Sequence, residues 1–179
     1  MSCENCSLKN KVPVNGEGSK SSSIMIIGEA PGEEEDISHR PFVGRSGKLL
    51  NATLAKLGIK REDIYITNVV KCRPPSNRRP HQDEIGNCTG KLAEEIREIN
   101  PDVIIPLGLS ATQWFISDGT MGEMNGRVYE VWVSGTLRRI APVYHPAAVL
   151  RNPNLRESFE RGLREAIEEI HKIEVKADK

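Results

Sequence analysis

The sequence predicts a single α/β domain: a largely parallel sheet with helices on both faces. Short apolar runs cut off by glycine or proline alternate with amphipathic helical patterns through most of the chain. The 179 residues suffice for one core, and no repeat or linker divides them. The hydrophobic content of 37% fits a soluble protein of this class.

The elements follow in order. Residues 1–22 hold Cys3 and Cys6, then a polar Gly, Ser and Lys tract over Gly16 to Ser22 that reads as loop. Ile24 to Ile27 are four apolar residues in a row, a buried strand closed by Gly28. Gly28-Glu29-Ala30-Pro31-Gly32 is a turn, and the carboxylates Glu33 to Asp36 extend this expected loop. The segment from Ile37 to Ser46 is also read as loop, with Phe42 as its lone aromatic. Leu49, Leu50, Leu54 and Leu57 predict a helix over residues 47–57, stopped by Gly58. Gly44 to Lys48 looks like a phosphate-binding loop but has the wrong spacing, and Leu49 stands where Ser or Thr is required.

Ile64 to Val70 predicts a second strand, with Asn68 near its carboxyl end and a Pro-rich irregular segment, Lys71 to Pro80, after it. Ile85, Leu92, Ile96 and Ile99 predict a helix over Gln82 to Ile99, broken by Pro101. Val103 to Leu107 is a third strand, and Ser110 is a candidate cap for a short helix over Ala111 to Ile116. Ser117 to Gly126 reads as a polar loop. Val128 to Val133 and Leu137 to Val143 read as strands around a Ser134-Gly135 turn. A loop over His145 to Pro153 follows, then an amphipathic helix over Asn154 to Ile173 carrying Leu155, Phe159, Leu163, Ile167 and Ile170.

Net charge is zero, so bulk charge does not announce a nucleic-acid binder. The basic residues cluster instead: Arg40, Arg45 and Lys48; Lys71, Arg73, Arg78 and Arg79; Arg138, Arg139 and Arg151. No run approaches the roughly 20 apolar residues that span a bilayer. Met1-Ser2 before the first cysteine leaves no room for a signal peptide, so the expected compartment is the cytoplasm. There a disulfide framework is not expected, and Cys3, Cys6, Cys72 and Cys88 read as a shared metal centre, either zinc or iron–sulfur. The wide separation of Cys72 from Cys88 rules out a zinc ribbon.

Distinctive residues gather after the strands, where open α/β sheets form their working crevice. Three segments stand out: Gly28 to Asp36, Asn68 to Asn77, and His145 to Pro153. The stretches GEAPGEEED (28–36), RPFVGRSGKLLN (40–51), TNVVKCRPPSNR (67–78) and YHPAAVLRNP (144–153) together resemble the ordered motifs of family 4 uracil-DNA glycosylases. These are the iron–sulfur members of their superfamily, and the resemblance runs from Cys3 to the last helix. It implies a three-layer α/β/α sandwich around a four-stranded, mainly parallel sheet. It also implies hydrolysis of the N-glycosidic bond of deoxyuridine in single- or double-stranded DNA, leaving an abasic site.

Carried over residue by residue, the resemblance makes Phe42 the stacking aromatic and Asn68 the base reader. It places Glu35 near the base's C5 edge and makes His145 the donor to the leaving group. Glu29 and Ala30 stand where the best-known relatives carry a Gln-Asp pair. Ala30 therefore lines the base but offers no carboxylate, and water handling falls to Asn77, with Glu29 in support. Arg73, Arg78, Arg79 and Arg151 are candidate DNA contacts, and Val149 or Leu150 is the candidate wedge for the gap a flipped base leaves. The four cysteines would hold a [4Fe–4S] cluster of structural role.

His39 and His81 fall outside these motifs. Arg78-Arg79-Pro80-His81-Gln82 faintly resembles a related group that attacks the sugar through a loop histidine. That group carries a longer insertion and lacks a cysteine at the position of Cys72. Replication or repair proteins such as a sliding clamp are partners the sequence leaves open. The rival reading from another class is a non-catalytic, metal-stabilised DNA-binding module.

Overall fold

The computed structural model describes residues 3–177, with side chains through Glu169. The expected contribution of Ile170 lies outside the described residues, as do Met1 and Ser2. The strands are β1 (Glu17–Gly18), β2 (Ile24–Gly28), β3 (Tyr65–Asn68), β4 (Val103–Pro106), β5 (Tyr129–Val133) and β6 (Thr136–Ile140). The helices are α1 (Glu33–Ser38), α2 (Arg45–Lys56), α3 (Gln82–Ile99), α4 (Gly108–Thr112), α5 (Met121–Met124), α6 (Pro146–Arg151) and α7 (Arg156–Ala177).

The sheet has six strands in the order β1-β3-β2-β4-β6-β5. Its centre, β3-β2-β4-β6, is the expected four-stranded parallel unit. The correction is at the edges, where β1 pairs antiparallel with β3 and β5 antiparallel with β6. Both central faces are covered, which is why β2 and β4 read as unbroken apolar runs. Ile24, Ile26, Val103 and Ile105 face one layer, built from Leu50 and Leu54 of α2, Val149 of α6, and Phe159 and Leu163 of α7. Met25, Ile27 and Ile104 face the other, built from Leu92 and Ile96 of α3 together with Cys6 and Cys88.

Two segments expected as loops are helical, and both shape the site. In α1 the carboxylates of Glu33 to Asp36 fill the first turn, where the helix dipole favours negative charge. In α6 Pro146 occupies the first turn, and the His145 ring caps the helix by accepting the Ala147 N–H at Nδ1 (3.0 Å). Smaller corrections have similar local causes. Ser110 lies inside α4, which starts earlier than predicted, after an N-cap at Leu107. A Thr120–Glu123 capping box makes α5 within the predicted polar loop. The two-residue strand β1 lies in the polar tract, where no apolar pattern marks it.

Candidate active site

The carboxyl ends of β2, β3 and β4 open onto a cavity of about 630 Å³. β2 ends at Gly28. A Cβ added there would lie 2.4 Å from Asn68 Oδ1 and 2.5 Å from Phe42 Cζ. Asn68, 2% exposed at the end of β3, and Phe42, 5% exposed, therefore close on a bare backbone. The Phe42 and His145 rings lie 6.0 Å apart between centroids, tilted by 37°. Gly108 lets β4 end against His145: it has φ +81, and a Cβ there would lie 2.9 Å from His145 Cβ.

His145 presents part of its ring to the cavity, while protein surrounds the rest. Burial, and secondarily the Arg151 charge, lower its pKa to about 4, against a smaller opposing pull from Glu35. The imidazole is therefore neutral at physiological pH. Its Nδ1 accepts from Ala147 N–H, so the remaining proton is on Nε2 and is available as a donor.

Glu29, Ala30, Glu35, Phe42, Asn68, Asn77, Arg78, His145 and Arg151 all line the cavity. Glu29 Oε1 is buried and makes no hydrogen bond, and the nearest cation is Arg79 Nε at 3.7 Å. A buried acceptor without a partner marks a place for a bound donor. Asn77 stands at the rim with its Oδ1 accepting from Arg73 Nε at 2.7 Å. Arg73 Nη1 lies 3.7 Å from Glu33 and 3.9 Å from Asp36, so it bridges the Asn77 loop to α1.

The side chain of Glu35 is committed to backbone. Its Oε1 accepts Val43 N–H (2.9 Å) and Gly44 N–H (2.7 Å), and its Oε2 accepts Gly32 N–H (3.1 Å). It thus fastens the Phe42 loop to α1, while lining the cavity as well.

The DNA candidates separate. Val149 is only 3% exposed and packs in the core, which corrects its placement as a DNA contact; α6 turns it inward with Pro146, three residues before it. Leu150 is 40% exposed. Arg78 is tied down, donating through both terminal nitrogens to Glu84 (2.8 and 2.7 Å). Arg79 and Arg151 keep exposed side chains, Arg79 with its Nη2 on Gln113. His39 and His81 are exposed and do not line the cavity.

Sequence reasoning missed the groups that hold the Asn77 loop. Glu84 is fully buried and also accepts from Ser7 Oγ and His81 N–H, so Arg78, α3 and the segment after Cys6 meet on one carboxylate. These bonds, the Arg78 one first, lower its pKa to about 2. Its only sequence signal was its place three residues into a helix, where a Glu can return to the N-cap. Lys71, 2% exposed, donates to Thr67 Oγ1, the Asn68 carbonyl and Glu95.

The four cysteines are unpaired. Cys6 and Cys88 are buried, and Cys3 and Cys72 pack against the same cluster. Burial, then the neighbouring thiols Cys88, Cys3 and Cys6, push the Cys72 thiol up to about 11, with Lys91 opposing. Lys91 Nζ donates to Cys3 Sγ at 3.2 Å. Among the described residues no group of three or more His, Cys, Asp or Glu is arranged to hold a single metal ion.

A cavity at the ends of parallel strands, lined by a buried carboxamide, an aromatic ring and a neutral imidazole, gives this α/β protein a site with the shape and polar groups for a planar polar ring. The profile of the family described as Uracil DNA glycosylase superfamily matches residues 15–170. The chain is 44% identical over 169 residues to the type-4 uracil-DNA glycosylase of Archaeoglobus fulgidus, covering 89% of this chain and 84% of that protein. Identity to the type-4 enzyme of Saccharolobus solfataricus is 44% over 178 residues, covering 94% and 82%. For that of Pyrobaculum aerophilum it is 42% over 170 residues, covering 90% and 86%. The chain belongs to the uracil-DNA glycosylase superfamily, in its type-4 family.

Proposed function

We propose that the protein excises uracil from single- or double-stranded DNA as a monofunctional glycosylase. The observation that carries this is the buried Asn68 carboxamide lining the cavity beside Phe42, both seated on the bare backbone of Gly28. A base inside a duplex is out of reach, so uracil must leave the stack and enter this cavity. There it stacks on Phe42. Asn68 Oδ1 accepts from uracil N3–H and its Nδ2 donates to O4. Cytosine presents the reverse pattern and would leave both groups unpaired behind the bound base.

As the C1′–N1 bond breaks, its electron pair moves onto uracil. The Nε2–H of neutral His145 stabilises the growing charge at O2. Water then adds to C1′ of the cationic sugar. Glu29 Oε1, the acceptor without a partner, takes the water's proton, while Asn77 holds the same water through its second carbonyl lone pair. Ala30 borders the base without chemistry. Leu150 is the apolar wedge, and Arg79 and Arg151 meet phosphates; Arg73 and Arg78 serve by holding the Asn77 loop.

The same proposal assigns Cys3, Cys6, Cys72 and Cys88 as ligands of a [4Fe–4S] cluster. All four thiols belong to one apolar cluster, and a lysine ammonium sits on one of them, which suits thiolate ligands. When bound, the cluster would cross-link the first residues of the chain to the Asn77 loop. The expected setting is the cytoplasm, among replication and repair proteins such as a sliding clamp; no helix among the described residues is long and apolar enough to cross a membrane.

The test is base release from a uracil-containing oligonucleotide. Strand cleavage at uracil only after alkali is the expected result. No release from either single- or double-stranded substrate overturns the reading. A broad brown absorbance of the purified protein supports the cluster, and a colourless protein with stoichiometric zinc refutes it.

A further inference from the structure

Phe42 has an unusual backbone. Its φ is +52, in the left-handed region that a bulky residue rarely occupies without being held there. Two oppositely charged side chains grip its loop on complementary backbone atoms. Glu35 accepts the amide protons just after Phe42, at Val43 and Gly44. Arg61 donates to the carbonyls of Pro41 and of Phe42 itself (3.3 Å to Phe42).

Arg61 is itself oriented from two sides. Its Nη1 also donates to Asn51 Oδ1 of α2 at 2.9 Å, and its Nε lies 3.5 Å from Glu17 of β1. Glu17 in turn accepts both Arg40 Nε (2.8 Å) and Arg40 Nη2 (2.7 Å), from the residue just before Pro41. Only 19% of the Arg61 side chain is exposed, and it does not line the cavity.

We propose that Arg61 is a positioning residue for uracil excision: its guanidinium, with Glu35 opposite, holds Phe42 in the left-handed conformation that presents its ring to the base. This rests on the functional reading above. A guanidinium is suited to the role because its planar fork can serve two carbonyls and an amide oxygen at once. A lysine ammonium has neither the reach nor the shape.

The test is a double-mutant cycle on kcat/KM for uracil release, with Arg61→Met, Phe42→Ala and the pair together, assayed well below each variant's Tm. Arg61→Met is expected to lower kcat/KM by about tenfold or more, from loss of charge-assisted hydrogen bonds that fix the loop. It should weaken inhibition by free uracil in parallel. In the Phe42→Ala background the same change should cost less than about twofold, because residues acting through one another are not additive. Arg61→Lys should not restore the rate, and it carries the same cycle if Arg61→Met fails to fold. An Arg61→Met enzyme at full rate, or losses that multiply independently in the double variant, overturns the inference. A wild-type protein that releases no uracil would instead sink the functional reading, so the two failures are distinct.

Discussion

The two loops that wall the cavity are built differently. The Phe42 loop is wired internally: Glu35 and Arg61 bind its own backbone, and its supports come from neighbouring α1, α2 and β1. The Asn77 loop hangs on distant parts of the chain. Arg78 reaches a carboxylate shared with Ser7, Cys72 sits beside Cys3 and Cys6, and Arg73 leans across to α1. On the proposed roles, base recognition would depend on local geometry. Water handling would depend on the N-terminal segment, which the proposed cluster would hold in place.

His145 stands at the N-cap of α6, outside both loops, and its loss is the largest expected effect. His145→Ala should slow single-turnover release by about 100- to 1,000-fold while leaving uracil-DNA binding nearly unchanged. An unchanged rate removes it from the mechanism. Because its folded pKa is lowered to about 4, it stays neutral as pH falls from 8 toward 5, and its titration should leave no inflection in that range. A break in kcat near pH 6.5 that disappears in the variant would contradict a buried neutral imidazole.

Asn68→Asp strikes the recognition side. The preference for uracil over cytosine should fall about 10- to 100-fold, measured by competition between matched oligonucleotides. Retention of the full preference would mean that another group reads the base.

Cys88→Ser strikes the other side. Loss of the proposed cluster should remove the brown absorbance and lower Tm by about 4–8 °C, the shift for about 2 kcal/mol in a chain of this size. Excision should slow while inhibition by free uracil holds. Equal damage to both readouts would erase the contrast between the loops.

The smallest effect is on acid stability. The folded pKa of Glu84 is lowered to about 2, so its stabilising contribution is complete above its unfolded value near 4.5. It is lost as pH falls toward 2. Glu84→Gln should therefore destabilise the protein at pH 7 and flatten the decline of Tm below pH 4.5. A parallel decline in both proteins would show that Glu84 is not the acid-sensitive anchor.

Much of this was legible in the sequence, for identifiable reasons. β2, β4 and α3 announced themselves because full burial makes continuous apolar runs and one buried face makes a 3.6-residue stripe. Asn68 and His145 stood out as polar residues at strand ends. α1 and α6 were hidden because they are six-residue elements stabilised by charges and by capping rather than by an apolar stripe. Missing α6 also left Val149 and Leu150 undecided, since their opposite exposures follow from helical geometry. Arg61 was invisible for another reason, and Glu84 showed only its return to the N-cap. Arg61 binds carbonyls about 20 residues away and Glu84 binds Ser7 across 77 residues, and no local pattern encodes such pairs.

The bare backbone at Gly28 sets the adaptability of the enzyme. Asn68 and Phe42 rest on it, and any side-chain atom added there collides with both. These two side chains are thus seated directly against the main chain of a central strand. A new base preference must therefore be acquired sideways, through the walls, and most readily by moving the loop that carries Phe42.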